Sequence, residues 1–251
     1  MSFDVQEAKE KFVENGFSIL RGFIGEGEFG EITRNLNRYI ETILPTLASS
    51  EVMYEDKNDP STLFRLERMD KHDPYFNDMA ASDRFIELAG QFLEDEIFTW
   101  GVELFGKAPG IGNETPPHQD GYYFMLTPPT AMTFWIALDR ADEENGCMRY
   151  VTGTHLKRVR PHAMSDVLGF SQGIVDFGPE DTALEQAAVV DSGDVIAHHC
   201  MTVHRTDPNP SNRPRRALGF VYFGKNATVD KEASLAYKKE LFAKWEAEGK
   251  I

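Results

Sequence analysis

The sequence predicts a mainly β protein of jelly-roll type with an α-helical N-terminal layer and flanking helices. Three observations carry that reading. Apolar residues recur every three or four places up to about position 95, they recur every second place from residue 97, and the strands so marked are short and separated by Gly, Asn and Asp turns. The 251 residues are 41% hydrophobic and 27% charged, which suffices to bury a core without disulfide staples. No repeat, low-complexity tract or linker interrupts them. The chain therefore reads as one domain over 1–251, with a helical layer over about 1–95, a β core over about 96–225 and a closing helix over about 229–250.

Asp4 can cap a first helix whose Ala8, Phe12 and Val13 fall at helical spacing, and Gly16 ends it before the apolar run Phe17 to Leu20. From Glu28, the residues Phe29, Ile32, Leu36, Ile40 and Ile43 form one stripe that Pro45 closes. Residues 49 to 61 read as a polar loop. Ser82 and Asp83 open a third helix carrying Phe85, Ile86, Leu88, Ala89 and Phe92. Phe98, Trp100, Val102 and Leu104 then alternate as one face of a strand. The charge-free stretch Gly121 to Leu138 is broken by Pro128, Pro129 and Thr residues, so it reads as two buried strands and a turn, not a membrane span. Further strands are expected at 132–138, 148–151, 187–190, 195–199 and 217–223, with turns at Glu144-Asn145-Gly146 and Asp191-Ser192-Gly193. Leu235, Leu241, Phe242 and Trp245 mark the closing amphipathic helix.

Lys plus Arg number 26 against 41 Asp plus Glu, a net charge of −15 that argues against nucleic acid as a partner. The N-terminal dozen residues carry no apolar block, so neither a secretory nor a transit signal is read there. Two cysteines, Cys147 and Cys200, are too few for a disulfide framework or zinc ribbon, and they suit a reducing, cytoplasmic location.

Of the seven histidines, only His118 is followed two places on by an aspartate, in Pro117-His118-Gln119-Asp120. In extended chain both side chains face one point. A third ligand can come from the segment Ala197 to His204, which ends in a histidine before a polar turn. Two imidazoles and a carboxylate on one face of an octahedron leave three open positions, as non-haem Fe(II) requires to hold a co-substrate and O2 together. Arg215, heading the apolar strand that follows, can offer a bidentate fork to a dicarboxylate keto acid, with Thr206 adding a hydroxyl.

Several stretches resemble the phytanoyl-CoA dioxygenase family and occur in its order: residues 10–23 (EKFVENGFSILRGF), Pro117 to Asp120, Trp135 to Leu138, Glu144 to His155, and His204 through Asn209 to Arg215. Lys107 to Asp120 is similar to the phytanoyl-CoA dioxygenase domain-containing branch. The resemblance implies a double-stranded β-helix, cupin-like, that uses Fe(II), 2-oxoglutarate and O2. It implies His118, Asp120 and His204 as metal ligands and catalytic residues, Arg215 and Thr206 at the far carboxylate, Trp135 beside the co-substrate, and Arg65 as a basic co-substrate contact. The implied reaction hydroxylates an aliphatic C–H of a small molecule, an anionic one among the options, and releases succinate and CO2. Relatives that halogenate lack the carboxylate ligand, so Asp120 speaks for hydroxylation. Two departures stand out: Arg205 follows the last histidine where the family has a small residue, and Thr152-Gly153-Thr154-His155 replaces Pro-Gly-Ser-His.

Plainer explanations stand beside these. Pro117 to Asp120 can be a hydrogen-bonded surface turn. His198 and His199 rival His204, although only one of two adjacent strand residues can face inward. Arg213 and Arg216 rival Arg215, and the basic run His155 to His162 is either a solvated loop or a clamp for an anion. A non-catalytic jelly roll holding a metal or small acid, and a cupin-like isomerase or lyase, are the competing functions. Acyl-CoA, amino-acid, alkylphosphonate and secondary-metabolite substrates all fit the sequence.

Overall fold

The computed structural model describes residues 4–165, 167 and 172–247. Helix α1 (Val5–Asn15) begins at Asp4, whose side chain accepts from the Gln6 and Glu7 amides, and stops at Gly16, where φ is +84°. Then come β1 (Phe17–Leu20), α2 (Glu26–Thr42), β2 (Val52–Tyr54), β3 (Leu63–Leu66), α3 (Met69–His72), α4 (Pro74–Ala80) and α5 (Asp83–Leu93). The β region comprises β4 (Ile97–Lys107), β5 (Thr115–His118), the single turn α6 (Asp120–Phe124), β6 (Leu126–Thr127), β7 (Ala131–Ala137), β8 (Met148–Val151), β9 (His162–Met164) and β10 (Gln172–Ile174). It continues through α7 (Pro179–Ala183), β11 (Glu185–Ala188), β12 (Val195–His199), β13 (His204–Thr206), β14 (Arg215–Gly224) and β15 (Thr228–Val229) to α8 (Lys231–Ala247).

Seven strands form an antiparallel sheet in the order β1-β12-β7-β14-β4-β3-β2, and four form a second in the order β11-β8-β13-β5. One face of the large sheet packs on the helices through Phe12, Ile32, Leu36, Phe85 and Phe92. The other face meets the small sheet through Trp135, Ile196 and Ala217 against Met148, Tyr150 and Ala188. Every residue of β7 is buried because both of its faces are covered, which is why its sequence carries no charge.

Four expectations are corrected. Residues 49 to 61 include the edge strand β2, and Gly121 lies in α6, so the charge-free stretch begins with a helical turn instead of a strand. In β4, Val102 and Leu104 face the helical core, whereas Phe98 and Trp100 are 42% and 46% exposed on the opposite side. The pairing with β14 skips Trp100: Gly101 opposes Val221 and Thr99 opposes Tyr222, a bulge that inverts the alternation. Leu235 is exposed while Leu241 is buried. The side chains of Phe242 and Trp245, the end of the closing helix beyond 247, and residues 1–3 lie outside the described residues. Among the described residues no helix is long and apolar enough to cross a membrane.

Candidate metal centre

On the small sheet, His204 of β13 lies opposite His118 of β5 on one side and Tyr150 of β8 on the other, so the three form a row across it. The imidazole centroids of His118 and His204 are 4.2 Å apart. Gln119 is still extended, and Asp120 opens α6. That switch is held from behind: the Gln119 side-chain amide donates to the Met201 carbonyl at 2.7 Å, and the Gly121 amide donates to the Cys200 carbonyl at 2.9 Å. A Cβ on Gly121 would come within 2.7 Å of the Met201 sulfur, so glycine lets the turn press against this loop.

Asp120 Oδ1 stands 3.6 Å from His118 Nε2 and 3.7 Å from His204 Nε2, and one ligand atom from each of the three residues lies within 4.8 Å of the others. Among the described residues this is the group suited to a metal ion. His118 Nδ1 is 2.8 Å from the Pro116 carbonyl and His204 Nδ1 is 2.9 Å from the Thr202 carbonyl. A carbonyl only accepts, so each Nδ1 carries the proton and each Nε2 turns a lone pair to the common centre. Burial, reinforced by His118, pushes the His204 imidazole down to about 3 and keeps it neutral. Burial alone would raise the Asp120 carboxyl, but the imidazoles around it, His204 foremost, hold it well below the usual carboxylate range. An ionised carboxylate and a neutral imidazole are the forms that bind a divalent cation.

The same cavity, of about 720 Å³, is lined by all seven residues singled out in the sequence: His118, Asp120, His204, Arg215, Thr206, Trp135 and Arg65. Arg215 is 4% exposed, its guanidinium lies 5.4 Å from the Trp135 ring centroid, and its Nε meets no hydrogen-bond acceptor among the described residues. Burial lowers it to about 10, so it stays charged. Arg213 pairs instead with Asp142 and Glu144, and Arg216 with Asp139, both away from the cavity. Thr206 Oγ1 accepts the Thr115 amide at 3.2 Å, which leaves its own proton free to donate. Arg65 is held by Glu103 at 2.9 Å and Glu67 at 3.3 Å.

His198 and His199 divide as alternation requires. His198 faces the site and is buried; His199 lies on the other side of β12, near His155, and accepts from the Met201 amide. The basic run lies apart from the cavity: Arg160 is bound to Asp176 and Asp181, His155 bonds the Val13 carbonyl, and His162 stacks on Tyr122. Cys147 and Cys200 are buried free thiols. Among the cavity residues that the sequence does not mark as site residues are Glu103, Lys107 and Tyr123, and His198, read there only as a rival to His204, also lines the cavity. For Glu103 a signal existed, since it is a charge inside an otherwise apolar strand that Lys107 ends. Burial pushes the Glu103 carboxyl up, with Arg65 opposing it, and pushes Lys107 down to about 7.

The donor set and the orphaned Arg215 nitrogen fit a divalent metal with an anionic co-substrate, and comparison with known proteins agrees. Residues 12–217 match the phytanoyl-CoA dioxygenase (PhyH) family. A probable alpha-ketoglutarate-dependent hypophosphite dioxygenase of Stutzerimonas stutzeri is 24% identical over 228 residues, 88% of this chain and 79% of that one. The phytanoyl-CoA dioxygenase domain-containing protein 1 of Bos taurus is 26% identical over 254 residues, 84% of this chain and 87% of that one. The fold matches the epimerase SnoN, solved with Fe3+, alpha ketoglutarate and nogalamycin RO, with a TM-score of 0.72 at 21% identity, over 90% of this chain and 85% of that one. With the match spanning most of its length, the chain belongs to the phytanoyl-CoA dioxygenase family and is a non-haem iron, 2-oxoglutarate-dependent dioxygenase.

Proposed function

We propose that the protein is a hydroxylase of an aliphatic C–H bond in a small molecule, with His118, Asp120 and His204 as the Fe(II) ligands. One observation carries this reading: two imidazole nitrogens and a carboxylate oxygen converge in a cavity that also holds a buried guanidinium with an unsatisfied Nε. When bound, iron and 2-oxoglutarate supply the oxidising chemistry, the keto acid leaving as succinate and CO2 while one atom of O2 enters the substrate. Arg215 and Thr206 grip the far carboxylate of the keto acid, and Trp135 limits how its chain can lie. His118 and His204 keep their Nε2 lone pairs directed inward because backbone carbonyls fix their tautomers. Asp120 offers one oxygen to the same point. The two buried thiols support a reducing, cytoplasmic setting.

The cavity exceeds what a keto acid fills, and its remaining wall includes Phe64, Trp100, Phe105, Tyr123 and Phe124. Its cations are already engaged. Arg65 faces two carboxylates, Lys107 bonds the Asn113 carbonyl, and Glu55 and Glu114 add further negative charge. This favours an uncharged or cationic, partly apolar substrate over a carboxylate, phosphonate or acyl-CoA.

Anaerobic addition of Fe(II) and then 2-oxoglutarate should produce a weak visible charge-transfer band that His118→Ala abolishes, and admitting O2 should release succinate. A parent protein that gives neither band nor succinate refutes the assignment.

A further inference from the structure

His198 is a buried imidazole that neither the ligand set nor the co-substrate contacts use. It comes from β12 of the large sheet, whereas His118, His204 and Tyr150 stand on the small one. Its Nε2 lies 3.2 Å from Asp120 Oδ2 and its Nδ1 lies 3.0 Å from the Tyr150 hydroxyl. The two oxygens of Asp120 are therefore sorted: Oδ1 faces the nitrogens of His118 and His204, and Oδ2 is turned to His198. A phenol donates readily to an imidazole nitrogen, which fixes the proton on Nε2, and Nε2–H can then donate to the carboxylate. Tyr150 is itself held, its ring stacked on Phe17 at 4.4 Å and 16°. Tyr150, His198 and Asp120 thus form a directly bonded chain across the gap between the two sheets, ending on the carboxylate of the metal group.

We propose that His198 is a positioning residue: oriented by Tyr150, it pins Oδ2 of Asp120 so that the carboxylate presents Oδ1 alone to the metal. This rests on the ligand assignment above. Groups that orient a ligand in this way typically contribute about 10- to 100-fold in metal affinity or activity.

The test uses Mn(II) as the sole probe, titrated into the metal-free full-length protein and followed by electron paramagnetic resonance, so that it reads binding and not turnover. His198→Phe should keep the parent's circular dichroism and raise the Mn(II) dissociation constant by about 10- to 100-fold. His198→Gln, which keeps a donor, should recover most of that loss. Tyr150→Phe, which frees the tautomer but leaves the imidazole, should fall between the parent and His198→Phe, and it serves as the decisive variant if His198→Phe does not fold. With the Fe(II) and 2-oxoglutarate complex, His198→Phe should also shift the charge-transfer band, which a packing role would leave in place. Parent-like Mn(II) affinity and band position in folded His198→Phe overturn the proposal, as does parent-like affinity in Tyr150→Phe together with failed rescue by His198→Gln. If the parent itself does not bind Mn(II), the ligand assignment fails first, and the two failures are thereby told apart.

Discussion

A guanidinium buried as deeply as that of Arg215, with no carboxylate against it among the described residues, is unfavourable until an anion arrives. Arg213 and Arg216, two places before and one after, are paired at the surface and have no such demand. The consequence is specific to the co-substrate. Arg215→Lys keeps the charge but loses the planar fork, so it should weaken 2-oxoglutarate binding while leaving Mn(II) affinity near that of the parent. Loss of a charge-assisted hydrogen bond worth about 1.5–3 kcal/mol corresponds to roughly ten- to hundred-fold in apparent affinity. Titrating 2-oxoglutarate against the charge-transfer band checks it, and equal affinity in the variant removes Arg215 from that role. At this scale the sequence was most legible. His118, Asp120, His204, Arg215, Thr206, Trp135 and Arg65 were all read from spacing or family resemblance, and they share one cavity. What could not be read was partnership. Nothing in the sequence says that Arg65 is already matched by Glu103 and Glu67, or that His198 reaches Asp120 while His199 turns away.

Among the elements, turns with strong local chemistry were legible and one-turn helices were not. Glu144-Asn145-Gly146 is a case of the first kind. Asp142 caps a short 3-10 turn by accepting the Glu144 amide, the Asn145 Oδ1 accepts the Asp142 amide in return, and Gly146 closes the turn at φ +75°. A Cβ at Gly146 would run into the Asp207 carbonyl, just past β13, so the strain would reach the strand that carries His204. Gly146→Ala should therefore destabilise the protein by about 1–3 kcal/mol and lower the melting temperature in scanning calorimetry. An unchanged melt would mean the turn relaxes freely. By contrast α3 and α6 carry too few residues for a periodic signal. Asp70 of α3 accepts the Val102 amide at 3.0 Å, which draws that turn against β4. The bulge at Trp100 was equally hidden, because alternation carries no mark where it slips. Its effect on the site is large: it turns Trp100 onto Phe223 at 4.4 Å and into the cavity wall.

For the whole molecule, the large sheet is shared between two cores, one with the helices and one with the small sheet, and the metal group sits in the second layer where the sheets face each other. The jelly-roll class and the helical cover followed from periodicity together with the spacing of turn residues. The order of strands did not, because β1 pairs with β12 and β5 with β13, partners that lie far apart along the chain. An ion bound where β5, α6 and β13 meet stabilises the folded state and leaves the unfolded one untouched. At Mn(II) a hundredfold above its dissociation constant the gain is about 2.7 kcal/mol, and for a chain of this size that corresponds to a rise of roughly 5–10 °C in melting temperature. Adding a chelator should return the melt to that of the metal-free protein, and a melt insensitive to both would place the ion elsewhere.

The pairing of β1 with β12, and of β5 with β13, also bears on how the protein comes to be made. On the ribosome, the N-terminal strand and the His118 segment emerge long before their partners, so a nascent chain holds an acidic turn and one imidazole but no complete chelate. Capture of the metal by all three groups has to await synthesis of β13, which brings His204 well after His118 and Asp120 have been made.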